Sequence, residues 1–265
     1  MLLKLRTLGN GCHVHNLFLG CLTYANDLLV SAPIADLQRM QDVCSNVGTE
    51  LCITFNSNKS HCLVIGPNKI NKLEPMTLSN LPVEWVNSIK YLGISLVSGK
   101  GFTVDFAEMR RKFYMSVNCI INKCKYSSEL VKLELLESHC LPIILYAIES
   151  LNLKVVQVKQ LNSWWNSVYR KIFGYNKWDS VKELIFMLGR LDLVHIVNLR
   201  RLMFIKRLMM SDNRVMSKLM YYYLHGPELQ NLLNCSGAQL CWSMAKIKAL
   251  TFVAFKECVS ARASV

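Results

Sequence analysis

The sequence predicts an α+β protein in two regions: short strands with one helix over 1–97, then helices over 98–265. Three observations predict it. Up to about residue 97 the apolar residues come in short strand-like runs broken by turn residues. From Phe102 onward they recur at three- and four-residue steps, the spacing of one helix face. Charge divides near the same point: residues 1–95 carry 7 Lys+Arg against 6 Asp+Glu, and residues 96–265 carry 24 against 12.

In chain order, Leu17–Tyr24 and Leu28–Ser31 read as strands meeting at Ala25-Asn26-Asp27, where Asn and Asp tolerate the positive φ of a tight turn. Ser31 and Pro33 signal a helix whose apolar face is Ile34, Leu37, Met40, Cys44 and Val47. Strands are expected at Cys52–Phe55 and Cys62–Ile65, then a loop from Pro67 to Pro75 and short β pieces from Met76 to Val86. Ile89–Leu96 reads as one strand with Gly93 as a bulge or close approach inside it. After Ser98-Gly99-Lys100-Gly101, a stripe from Phe102 through Phe106, Met109, Phe113, Val117 and Ile120 to Cys124 predicts a long helix. Its other side carries Arg110, Arg111, Lys112, Lys123 and Lys125. Further helices are expected at Glu129–Ile148 with a kink at Pro142, at Val155–Phe173 capped by Gly174, after a Ser180-x-x-Glu183 capping box, and at Asp192–Met209 with Arg200, Arg201, Lys206 and Arg207. Weaker patterns cover Arg214–Leu224 and Met244–Val259.

An apolar fraction of 52% over 265 residues argues against disorder. The longest apolar runs, such as Leu141 to Ile148, fall short of the ~20 residues that span a bilayer, and the N-terminus has no signal-peptide pattern. A soluble intracellular protein, nuclear or cytoplasmic, is the expectation. The 11 cysteines contain no Cys-x-x-Cys pair and read as reduced, small hydrophobes. His225, Cys235, Cys241 and Cys258 lack the short paired spacing of a zinc site, and the six histidines lack ligand spacing. Net charge is +13. Its concentration in the second region points to a polyanion partner, with ordinary solvated helix faces as the alternative.

Leu22-Thr23-Tyr24-Ala25-Asn26-Asp27-Leu28-Leu29-Val30 resembles the Tyr-Ala-Asp-Asp box of reverse transcriptases, in which two carboxylates on a hairpin hold catalytic Mg²⁺. Gly11-Cys12-His13-Val14 before it is similar to a Gly-Cys-x-Ile stretch of non-LTR (LINE-type) retrotransposon enzymes. Phe55-Asn56-Ser57-Asn58-Lys59-Ser60 resembles their Asn-x-x-Lys-Ser motif, and Ile89-Lys90-Tyr91-Leu92-Gly93 their Lys-Tyr-Leu-Gly turn. Leu141 to Tyr146, Trp164 to Gly174 and Arg200-Arg201-Leu202 resemble their downstream helical stretches, so the resemblance covers roughly residues 10–210.

That resemblance implies a partial polymerase palm at 1–97, a helical thumb and C-terminal extension at 98–265, and an RNA template/DNA primer duplex as partner. It implies that Asn26 stands at the principal metal-binding Asp and Asp27 at its neighbour. Lys59 stands at the lysine that assists the leaving pyrophosphate. Tyr24, Tyr91, Leu92 and Gly93 stand at primer-contacting positions. Two departures follow. Asn26 offers a neutral amide where Mg²⁺ prefers an anionic oxygen, and only about ten residues precede Gly11, where the family has fingers and a strand bearing another catalytic Asp. A truncated, decayed copy that does not polymerise by itself is therefore expected. The alternatives are a non-catalytic nucleic-acid-binding module and a retroelement remnant that does not fold.

Overall fold

The change of character falls at Phe106/Ala107 in the computed structural model, where the chain divides into two units. Residues 1–67 and 73–224 are described. The helix expected over 244–259, the residues His225, Cys235, Cys241 and Cys258, and most of the loop expected between Pro67 and Pro75 lie outside them. The coarse expectation, an α+β chain with helices following small antiparallel sheets, holds. Among the described residues no helix is long and apolar enough to cross a membrane.

The first unit opens on α1 (Leu2–Thr7), which buries Leu5 and pairs Lys4 Nζ with Glu50 at 2.6 Å. A minimal hairpin follows, β1 (His13–Val14) with β2 (Leu17–Phe18). The long strand expected over Leu17–Tyr24 is broken at Leu19-Gly20. A Cβ on Gly20 would stand 3.0 Å from Gly11 Cα and 2.6 Å from the Phe18 ring, so two chain segments cross where only glycine fits. β3 (Cys21–Tyr24) and β4 (Asp27–Val30) then form a two-stranded antiparallel ribbon. The helix α2 (Ile34–Glu50) packs Met40 and Cys44 on Leu5 and Cys21, while Leu37 and Ile34 cover a second cluster of Cys62, Met76, Leu78 and Val83.

The strand expected at Cys52–Phe55 does not form. Cys52 takes a left-handed φ of 57°, and the Ile53 N–H returns to the Gly48 carbonyl at 2.8 Å. The backbone closes the end of α2 instead of pairing with a neighbour strand. A single 3₁₀ turn (Ser57–Lys59) leads to β5 (His61–Leu63). Next come β6 (Met76–Leu78) and β7 (Leu81–Val86), joined by Ser79-Asn80, both at positive φ. The sheet order is β5-β7-β6, with β5 parallel to β7.

The single strand expected over Ile89–Leu96 is a hairpin, β8 (Ser88–Tyr91) and β9 (Ile94–Val97). Residues expected to open the helical region add a third strand, β10 (Thr103–Asp105), to β9. Phe102 is exposed while Val104 and Phe106 are buried. Asp105, between the two buried residues, is exposed, the period of two of a strand, so the helical stripe read from Phe102 begins only after Phe106.

The second unit is helical in its described part: α3 (Ala107–Lys123), α4 (Glu129–His139), α5 (Leu141–Leu145), α6 (Val155–Phe173), α7 (Lys182–Met187), α8 (Leu193–Met209) and α9 (Arg214–Leu224). α3 packs on α4 and α5, α4 on α6, α6 on α8, and α8 on α9. The core joins Phe113 and Val117 to Leu136, Ile144, Leu161, Trp165, Tyr169 and Leu202. Phe113, Trp165 and Tyr169 form a chain of ring contacts, 6.4 and 5.8 Å between centroids. Pro142 breaks the expected 129–148 helix rather than kinking it. Lacking an N–H, it sits in the first turn of α5, and the helix stops at Leu145. The capping box at Ser180 is not made. α7 starts after Val181, and the Ser180 hydroxyl reaches only the Lys182 N–H, at 3.5 Å. Gly174 does cap α6 at a φ of 71°.

Candidate functional site

The ribbon register decides what the β3–β4 hairpin presents. Tyr24 pairs with Asp27 and Cys21 with Val30, leaving Ala25-Asn26 as a two-residue turn. The positive φ is carried by Ala25, at 51°, and not by Asn26 or Asp27 as the composition suggested. Side chains directly opposite each other share a face and successive ones alternate. Cys21, Thr23, Leu28 and Val30 thus form one face; Cys21 is buried there, and Leu28 and Val30 pack against its cluster. Leu22, Tyr24, Asp27 and Leu29 form the other. Leu22 and Tyr24 are 49% and 63% exposed, and Asp27 is exposed beside them. Tyr24 and Asp27 are therefore neighbours on an outward face, with Asn26 at the exposed tip.

Lys59 ends the 3₁₀ turn, which Asn56 organises: its Oδ1 accepts from the Lys59 N–H at 3.2 Å, and its carbonyl accepts from Ser60 Oγ at 2.9 Å. The Lys59 side chain is exposed. Tyr91-Leu92-Gly93-Ile94 is the β8–β9 turn, with φ of 46° at Leu92 and 81° at Gly93. Gly93 is a turn residue, correcting its reading as a bulge inside one strand. Leu92 holds a left-handed conformation that ordinarily costs a non-glycine residue about 1 kcal/mol or more. The three landmarks belong to separate pieces of sheet: β3–β4, the approach to β5, and β8–β9–β10.

These donors do not fit a two-metal centre. Such a site needs several anionic oxygens around two cations. The tip offers one carboxylate, Asp27, and one neutral amide, Asn26. Among the described residues no group of three or more His, Cys, Asp or Glu side chains converges.

The basic residues of the second unit divide into engaged and available. Arg110, Arg111, Lys112, Lys123 and Lys125 are all exposed. They do not share one face: successive helical positions turn by about 100°, so the first three spread over about 200°. Lys112 and Lys123 align, whereas Lys125 lies beyond the end of α3. The Arg110 guanidinium stands 5.8 Å from the Trp164 ring centroid and 5.9 Å from that of Tyr114. Lys112 pairs with Glu108 at 2.8 Å. Arg111 and Lys123 have no such partner among the described residues.

Several cations expected on the basic face of α8 are turned to structural use. Arg201 Nη2 donates to the Leu151 carbonyl at 2.7 Å, and Arg207 stands 3.5 Å from the Glu149 carboxylate. A cleft of about 580 Å³ opens nearby, lined by Glu137, Glu149, Arg190, Arg200 and Arg207 among Leu and Met side chains. Burial raises the Glu137 carboxyl above the usual range, partly offset by Arg190, 3.3 Å away. Periodicity marked these residues only as polar positions; which oppose which depends on helix pairing. Trp164 and Trp165 are buried. Among the described residues the exposed tryptophan is Trp178, 85% accessible, which sequence reading passed over. Its flanking residues, Asn176-Lys177 and Asp179-Ser180, were the available signal. No protein-family model, curated protein or solved structure matches the chain.

Proposed function

We propose that the chain is a portion of a reverse transcriptase of the non-LTR retrotransposon type, a partial palm followed by helical thumb and C-terminal elements, and that by itself it binds nucleic acid without extending a primer. The observation that carries the reading is the β3–β4 hairpin, with Tyr24 and Asp27 paired on the outward face and Asn26 at the tip. The ordered landmarks support it: the Asn56–Ser60 turn bearing Lys59, then the Tyr91–Gly93 turn. In this reading Tyr24, Tyr91, Leu92 and Gly93 adjoin a primer, and Arg111 and Lys123 meet duplex phosphates. Mg²⁺ supplies the chemistry in the family. Asp27 alone does not hold two such ions, so no catalytic step is assigned to this chain.

The test is primer extension on an RNA template by the purified full chain with Mg²⁺ or Mn²⁺, beside an Asp27→Ala control. Equal, background-level products are expected; extension above the control refutes the loss of activity. The non-catalytic binding reading draws on one feature of its own, the net +12 of residues 96–265. Salt-dependent duplex binding without extension supports it, and absence of binding refutes it.

A further inference from the structure

Between α6 and α7 the chain makes a turn built to hold its tip out into solvent. Gly174 ends α6 in the left-handed conformation, and the Tyr175 N–H returns to the Arg170 carbonyl at 3.0 Å. Asp179 then closes the turn from three directions. Its N–H donates to the Asn176 carbonyl at 3.2 Å, and its Oδ2 accepts from the Asn176 N–H at 2.7 Å. Its carbonyl accepts from Arg170 Nε at 2.8 Å. Val181, immediately beyond, is buried and anchors the exit. Lys177 and Trp178 are the two central residues of this closed turn.

The largest side chain in the alphabet is thus fixed at its base and left in water at its tip, against the usual burial of aromatic surface. The Lys177 ammonium stands 4.9 Å from the Trp178 ring centroid. Residues 170–182 contain Arg170, Lys171, Lys177 and Lys182 against Asp179 alone, whose carboxylate is spent inside the turn. An exposed indole on a hydrogen-bonded turn, beside a cation with no ion pair among the described residues, is the pairing that nucleobase stacking uses: the ring takes the π-face of a base and the cation takes the adjoining phosphate. Bases inside a duplex have both faces occupied, so the complementary ligand is an unpaired one. A protein hot spot would set the tryptophan in an apolar surround; here its chain neighbours are Asn176, Lys177, Asp179 and Ser180.

We propose that the 176–179 turn is a base-stacking post for single-stranded nucleic acid, with Trp178 stacking an unpaired base and Lys177 meeting its phosphate. The inference rests on the reading that the second unit meets nucleic acid, and names a contact within it.

The experiment is fluorescence anisotropy of the full chain with labelled oligo(U) of about ten nucleotides, within the usual site size for such grooves. A duplex of equal length is measured beside it. Trp178→Ala should weaken oligo(U) binding by about fivefold or more, as loss of one stacked base does. Trp178→Phe should recover most of that affinity, and neither change should alter duplex affinity. Lys177→Ala should lower the salt slope for oligo(U) by somewhat under one unit. Unchanged oligo(U) binding by Trp178→Ala, with the wild-type chain binding, overturns the stacking post, leaves Trp178 to a protein partner and leaves the nucleic-acid reading intact. Equal losses on oligo(U) and duplex also overturn it, since stacking on an unpaired base discriminates the two. A wild-type chain that binds neither ligand overturns both readings together. Trp178 and Lys177 are both exposed, so circular dichroism of each variant should match wild type.

Discussion

Replacing the cations of α3 one at a time should separate phosphate contact from structural duty. Each phosphate contact adds close to 0.9 to the slope of log affinity against log salt on duplex nucleic acid. Arg111 is exposed and has no partner among the described residues to compete for it, so Arg111→Ala should lower the slope by about 0.9 if it meets a phosphate. Lys112 is held by Glu108 at 2.8 Å, so Lys112→Ala should lower it by less. Glu108→Gln should do the opposite, freeing Lys112 and raising affinity at low salt. Arg110 lies over Trp164 and Tyr114, and Arg110→Ala should cost about 0.5–1 kcal/mol of stability alongside any slope change. The triple alanine variant should lose about two units of slope, not the three of independent contacts. Phe113 and Val117, the buried residues of α3, are untouched, so the unit should still fold. The assay is a duplex titration across a range of salt concentrations, with thermal melts of each variant. An unchanged slope in the triple variant refutes the argument and makes these charges a solvated helix face.

Asn26→Asp should leave primer extension at the Asp27→Ala background, because one restored carboxylate does not complete a two-metal donor set; Mg²⁺-dependent products would refute that. Gly20→Ala should destabilise the first unit by about 1–3 kcal/mol in urea denaturation, since the new Cβ meets the Gly11 backbone at 3.0 Å. Asp192 caps α8 by accepting from the His195 N–H at 2.9 Å, so Asp192→Ala should cost about 1 kcal/mol. Burial pushes the Asp192 carboxyl up, but hydrogen bonds from the His195 ring and backbone, with the charges of His195 and Lys182, outweigh it and hold it below the usual range. Its contribution is therefore present above the unfolded aspartate pKa of about 3.9 and lost as pH falls through the lower folded value; the gap between wild type and Asp192→Ala should close on acidification.

What was legible in the sequence was whatever a few neighbouring residues decide. The helix over 155–173 formed between its expected ends because its apolar face repeats cleanly and Gly174 supplies the left-handed cap. Helix α2 was legible from its apolar face alone. The failures lie where a partner outside the segment wins. Cys52–Phe55 has strand-forming residues, yet Ile53 spends its N–H on Gly48. Phe102 and Phe106 fit a helical stripe by spacing, yet β9 offers an edge and the segment pairs with it as β10. The break at Gly20 could not be read from its neighbours, because what requires glycine there is the backbone of Gly11.

The same division runs through the candidate site. All three motifs that carry the resemblance are tight turns: Ala25-Asn26, the Asn56–Ser60 turn closed by its own asparagine, and Leu92-Gly93. Turn chemistry is local, which is why each was recognisable from a handful of letters. Charge behaves differently. The excess over residues 96–265 pointed to a polyanion partner or to solvated helix faces, but α8 turns Arg201 onto the Leu151 carbonyl and Arg207 onto Glu149, while Arg110 lies over two rings. Those cations hold helices together before they are free to meet a phosphate. If the proposed reading holds, the cations free for nucleic acid among the described residues are fewer than the formal charge implies, and include Arg111, Lys123 and Lys177. Substitutions at those positions, rather than at the most basic stretch of sequence, should dominate binding.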